Sequence, residues 1–162
     1  MNHPKLRVVF DINVLVDALA GSDSTFPLIA EVPPATSNSA ADAFSLAYDT
    51  VNFSLYVSPH ILRNSRRVLE HLGLTAETVE EMLEVLVELV HLSGGSVVDP
   101  ERLVFEIKDF EDNLILDLVK AIDAQILVTS DWDLLEQNPW RGRLVLTPFT
   151  FVEHVMRMKA RY

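Results

Sequence analysis

The sequence predicts an α/β fold, a parallel sheet covered by helices on both faces, and three observations carry that prediction. Short apolar runs rich in β-branched residues, Leu6 to Phe10 and Ile126 to Val128, end abruptly at polar residues, as fully buried strands do. Stretches with helical spacing separate these runs, and strands alternating with helices imply crossover connections and parallel pairing. The chain has 162 residues and no cysteine; that length fits one domain, residues 1–162, which can bury a core without disulfides or thiolate zinc sites.

In chain order, Leu6 to Phe10 reads as the first strand and Ile12 to Leu19 as a helix. Residues 21–38 carry Gly, Ser, Asp and three prolines, Pro27, Pro33 and Pro34, a composition that interrupts regular structure and predicts a long Pro/Ser-rich surface loop. Ser39 offers an N-cap for a helix from Ala40 to Tyr48, and Phe53 to Val57 alternates as a second strand. Ser58-Pro59 starts a helix that keeps an apolar face through Ile61, Leu62, Val68, Leu69 and Leu72 until Gly73. Thr75 caps the next helix, whose glutamates and aliphatic residues segregate to opposite faces. Gly94-Gly95 breaks the chain before Val97-Val98. After the polar turn Lys108 to Glu111, Asp112 to Ile122 reads as a helix. Ile126 to Val128 is the third strand, a short helical segment follows Asp131, and Leu144 to Leu146 is the last strand before a helix that starts at Pro148. The sequence shows no internal repeat and no low-complexity tract.

The net charge is -11, which argues against nucleic-acid binding over the whole surface, because phosphate neutralisation needs clustered Lys and Arg. The charge is unevenly distributed. Glu70 to Asp117 holds thirteen acids against two bases, Arg102 and Lys108, whereas Arg141, Arg143, Arg157, Lys159 and Arg161 face Glu153 alone in the C-terminal stretch. A further basic group is Arg63, Arg66 and Arg67. The N-terminal apolar stretch is interrupted by Asp11 too early for a signal peptide or a membrane span, so the expectation is a cytoplasmic protein without membrane attachment.

In an open α/β sheet, ligands bind outside the carboxyl ends of the strands. Asp11 and Asp131 both follow strands directly, and two carboxylates at one edge repel each other and lose hydration unless a cation joins them. Asp112 adds a third acid at a helix start and Asp133 a fourth. Oxygen donors of this kind select Mg²⁺ or Mn²⁺. The competing reading of each aspartate is a helix N-cap, and it is strongest for Asp109, Glu111 and Asp133. The five histidines, His3, His60, His71, His91 and His154, show no ligand spacing, and no glycine-rich phosphate loop is present.

Val8-Val9-Phe10-Asp11-Ile12-Asn13-Val14-Leu15-Val16, Val57-Ser58-Pro59-His60-Ile61-Leu62, the acidic turn Asp109 to Asn113, Leu127-Val128-Thr129-Ser130-Asp131-Trp132-Asp133-Leu134-Leu135 and Leu144-Val145-Leu146-Thr147-Pro148 occur in the order found in PIN domains. The sequence resembles that family over nearly its whole length, and within it the toxin components of toxin-antitoxin systems. The resemblance implies a three-layer α/β/α fold with a mainly parallel sheet of four to five strands. It also implies a ribonuclease in which acidic residues hold one or two Mg²⁺ or Mn²⁺ ions that activate water for attack on an RNA phosphodiester. By the same resemblance, Asp11, Asp112 and Asp131 correspond to the metal-holding acids, Asp133 to an auxiliary acid, and Asn13 and Thr129 to polar residues supporting Asp11 and Asp131. A protein antitoxin and a homodimer are the partners it implies.

One position departs from the family pattern. The second acid, usually a glutamate in the helix after Ser-Pro, falls at Asn64, which offers a carbonyl oxygen but neither a charge nor a base. Arg63, Arg66 and Arg67 beside it bring positive charge that could attract RNA phosphate. Asn64 therefore leaves open a PIN-like module with weakened catalysis that acts by binding RNA or protein. A receiver-type phosphoryl-transfer domain is a third class, but it requires a lysine after a late strand, where this chain has Thr129-Ser130-Asp131 and Thr147-Pro148.

Overall fold

The computed structural model describes residues 4–24, 36–49 and 51–161. Four strands, β1 (Leu6–Phe10), β2 (Phe53–Tyr56), β3 (Ile126–Val128) and β4 (Leu144–Leu146), form one sheet in the order β2-β1-β3-β4. All three pairings are parallel, with Leu6 opposite Phe53, Val8 opposite Ile126 and Ile126 opposite Leu144. Strands covered on both faces should be apolar throughout rather than alternating. Val8, Val9, Phe10, Ile126, Leu127 and Val128 are all buried.

Seven helices among the described residues complete an α/β/α arrangement: α1 (Ile12–Ala20), α2 (Ser39–Leu46), α3 (Pro59–His71), α4 (Ala76–Leu92), α5 (Phe110–Ala121), α6 (Trp132–Leu135) and α7 (Pro148–Lys159). Helix α1 packs on α2 and α3, α2 on α7, α3 on α4, and α5 against β1. The chain leaves β1 for β2 on one side and reaches β3 on the other, so strand order reverses between β1 and β3. A crevice opens at such a reversal, outside the carboxyl ends of the strands.

Two helix starts differ from the sequence reading. Helix α2 begins at Ser39 and ends at Leu46, because the Asn38 side chain, not Ser39, caps it by accepting from Ala41 N at 3.0 Å. Helix α5 begins at Phe110, two residues before Asp112, because Asp109 accepts from Glu111 N at 2.8 Å and acts as the cap. The second difference matters for the site, since it puts Asp112 inside the first helical turn. Of the loop expected over 21–38, residues 25–35 lie outside the described residues.

Beneath the crevice, Phe10 of β1, Phe53 of β2 and Phe151 of α7 are fully buried and meet in a triad with ring centroids 6.0, 5.6 and 5.1 Å apart. Two of the three pairs are edge-on, the favoured arrangement of aromatic quadrupoles. The triad pins the last helix to the strand that carries Asp11. Phe151→Ala is expected to cost about 3–5 kcal/mol in urea unfolding, the usual range for truncating a buried phenylalanine; a loss under about 1 kcal/mol would show that the triad does not hold α7.

Candidate active site

Asp11 follows β1 directly and caps α1, with Oδ1 accepting from Ile12 N at 2.7 Å. Its Oδ2 accepts from Thr129 Oγ1 at 2.7 Å and from Asn13 Nδ2 at 3.3 Å. The fully buried Thr129 hydroxyl also accepts from Asp131 N at 3.0 Å, and Asn13 Oδ1 accepts from Ser130 N at 3.2 Å. Asn13 and Thr129 therefore tie the end of β1 to the end of β3. Asp131 caps the short α6, its Oδ1 accepting from Asp133 N at 2.9 Å.

Asp112 comes from α5 on the opposite wall. It is 7 % exposed, and its Oδ2 has no hydrogen-bond partner. Oxygens of Asp112, Asp131 and Asp133 lie within 4.8 Å of one another. Asp11 lines the same cavity as Asp112 and Asp131, with both oxygens already accepting hydrogen bonds, whereas Asp133 is exposed and lies outside that lining. Among the predicted acids, then, Asp112, Asp131 and Asp133 form the tightest group.

The electrostatics follow from this crowding. Burial, then repulsion from Asp131, Asp109, Asp11 and Asp133, pushes the Asp112 carboxyl up to about 7. Burial also raises Asp11, with the charge of Asp131 adding to it and the hydrogen bonds from Thr129, Ile12 and Asn13 opposing it. An unpartnered buried carboxylate oxygen among like charges is costly unless protonated or joined by a cation. The donor set is all oxygen, and it fits a hard divalent ion.

A cavity of about 480 Å³ opens in front of Asp11, Asp112 and Asp131. Asp17, Asp109 and Glu111 add three acids to its lining, and Asn64 and Arg67 face it from α3. The sequence reading did not single out Asp17, although it sits one helical turn after Asn13 on α1 and so shares its face. The three arginines of α3 separate. Arg67 lines the cavity and lies 3.6 Å from Glu111, Arg66 pairs with Glu80 of α4 at 2.6 Å, and Arg63 is exposed. Asn64 Nδ2 contacts His60, whose ring is held toward its neutral form chiefly by burial, against the charge of Glu111.

The segment leading into α5 is fixed by two buried residues of that helix. Asp117 accepts from Leu103 N and Val104 N at 2.8 and 2.7 Å, and Asn113 bonds both backbone groups of Ile107. Asp117 is thereby a structural acid rather than a member of the cavity cluster. Trp140 is buried, whereas Trp132, next to Asp131, is exposed.

The family model described as PIN domain matches residues 7–133. The chain belongs to the PIN-domain family. The match takes in β1, α3, α5 and β3 with every acid of the cavity, and it ends at Asp133, before β4 and α7. No match was found among the curated proteins. PIN domains are generally nucleases, and the cluster of Asp112, Asp131 and Asp133 is of the kind that holds a divalent ion in such enzymes. No helix among the described residues is long and apolar enough to cross a membrane.

Proposed function

We propose that this PIN domain is an endoribonuclease dependent on Mg²⁺ or Mn²⁺, that residues 1–162 act as one domain, and that the chain works in the cytoplasm as the toxin of a toxin-antitoxin pair. The observation that carries the nuclease reading is the unpartnered Asp112 Oδ2, buried amid like charges and facing Asp131 and Asp133. The toxin role, with an antitoxin and a homodimer as partners, rests on the sequence resemblance.

In this reading Asp112, Asp131 and Asp133 hold the ion with Asp11 beside them. Bound there, it supplies a water of lowered pKa and neutralises charge at the phosphodiester. Thr129 and Asn13 keep Asp11 and Asp131 in register, so little reorganisation is needed when substrate arrives. Arg67, the cation in the cavity lining, neutralises a phosphate oxygen of RNA. The acids around it confine the strand to this spot, which suits a chain too acidic for broad phosphate contact.

A second reading has its own observation. Asn64 lines the cavity where the family pattern has an acid, and one charge fewer weakens a hard-ion site. In that case the chain binds RNA or a protein without cleaving. The test is RNA cleavage with Mn²⁺, Mg²⁺ or EDTA, using wild type, Asp11→Asn and Asn64→Glu. Cleavage by wild type that stops with EDTA and in Asp11→Asn is the expected result. Cleavage that begins only in Asn64→Glu would support the second reading instead.

A further inference from the structure

The acidic cavity continues past its acids. A further cavity of about 480 Å³ adjoins it, and Asp17 and Ser130 belong to the lining of both. The two are therefore lobes of one groove, with Asp11, Asp112 and Asp131 in the first lobe. Ser130 directly precedes Asp131 in the chain, so the junction lies close to the acids.

The second lobe has a different chemistry. Its lining comes from α1, the start of α2, the start of α7 and the segments beside them, and it contains no charged side chain except Asp17. Among the described residues, no hydrogen bond engages the side-chain oxygens of Asp17, Ser22, Ser39 or Ser130. Phe149 stands in the same lining with its side chain 62 % exposed. The lobe has a fixed edge, because the buried Asn38 donates to the backbone carbonyls of Asp17 and Ser22 at 2.8 and 3.0 Å.

A lobe with a free carboxylate and no cation repels phosphate and receives donors. Free hydroxyls can meet a sugar or a base edge, and an exposed aromatic ring can stack on any base. A carboxylate is a common acceptor for a ribose hydroxyl. We propose that this lobe is a nucleoside subsite: Phe149 stacks on the base of an unpaired nucleotide beside the scissile bond, and Asp17 accepts from its ribose 2′-hydroxyl. The groove then selects RNA over DNA and single strands over duplex, since deoxyribose has no such donor and a paired, stacked base offers no free face. This inference rests on the reading of the acidic cavity as an RNA-cleaving site.

The experiment uses the full chain and short unpaired oligonucleotides of one sequence, as RNA and as DNA. Binding is followed by fluorescence anisotropy in EDTA, and KM and kcat for cleavage are measured with Mn²⁺. Wild type is expected to bind RNA about tenfold more tightly than DNA, the scale of one hydrogen bond to a charged group. Asp17→Ala is expected to bring the two affinities together. Phe149→Leu keeps an apolar side chain but removes the ring; it is expected to weaken binding of both about tenfold and to raise KM rather than lower kcat. Phe149→Trp is expected to retain the affinity.

Equal affinity of wild type for RNA and DNA would overturn the inference, as would Phe149→Leu that binds like wild type or a preference for RNA that survives in Asp17→Ala. RNA cleavage by wild type in those cases would leave the nuclease reading standing. RNA binding that both variants change as expected, without cleavage by wild type, would uphold the subsite and overturn the nuclease reading. Neither binding nor cleavage of RNA by wild type would overturn both.

Discussion

Asp112→Asn is expected to lower RNA cleavage by at least about 10²–10³-fold, the scale of loss when one preorganised charge-stabilising group is removed, and at the same time to make the metal-free protein more stable at pH 8. The two effects share one cause. Asp112 is buried opposite Asp131 and Asp133 with one oxygen unpartnered, and Asp109 and Asp11 add to the repulsion. A neutral amide of the same shape relieves that repulsion but offers a cation no charge. The gain in stability is on the order of 1 kcal/mol, a few degrees in Tm for a domain of this size. A catalytic residue that is also a stability liability is common where a site is built for a ligand. Loss of activity accompanied by lower stability would instead assign Asp112 to the scaffold, with Asp117 and Asn113 of the same helix.

The second large effect is on pH dependence. The Asp112 carboxyl rises from 3.8 to about 7 on folding, chiefly through burial, and Asp11 is raised as well. Between those two values the folded protein therefore holds a proton that the unfolded chain has lost. Stability of the metal-free protein is fully helped by this proton below the unfolded value, declines as pH rises toward about 7, and is level above it.

Metal binding shows the opposite slope. A dication must displace that proton, so Mn²⁺ affinity climbs by up to about tenfold per pH unit below the Asp112 value and levels off above it, with proton release on binding. Calorimetry in buffers of different ionisation enthalpy measures the released proton directly. Affinity that does not change across this range, or a slope that persists in Asp112→Asn, would contradict the assignment.

The parts of the fold that were legible in the sequence depend on local signals. Apolar runs ending at Asp11 and Thr129 defined β1 and β3, and short-range geometry alone then put Asp11 and Asp131 at the strand ends. Strand order was not legible, because pairing of Val8 with Ile126 spans most of the chain and leaves no mark in either segment. The start of α5 was misplaced because Asp109, Glu111 and Asp112 are all acceptable first-turn residues, and Phe110, 58 % exposed, contributes no apolar period to mark the first turn. Asn38 and Ser39 competed as caps for the same reason: both side chains can accept, and only the reach to Ala41 N decides between them.

Helical arithmetic would have found more of the site than strand patterns did. On α3, Asn64 and Arg67 are three residues apart and share the cavity face, whereas Arg66 turns away to Glu80. The same rule connects Asn13 to Asp17 and Asn64 to His60. The raised carboxyl of Asp112 was invisible, since it arises from acids on α5, α1 and α6 that converge only in three dimensions.

The role proposed for the acids of this cavity is to hold a divalent ion. Its most direct test is titration of Mn²⁺ into the metal-free wild-type chain at neutral pH, with Asp131→Asn measured alongside. Saturable binding with proton release in wild type, abolished in Asp131→Asn, is the predicted result. No saturable binding in wild type, or binding that Asp131→Asn leaves unchanged, would contradict it.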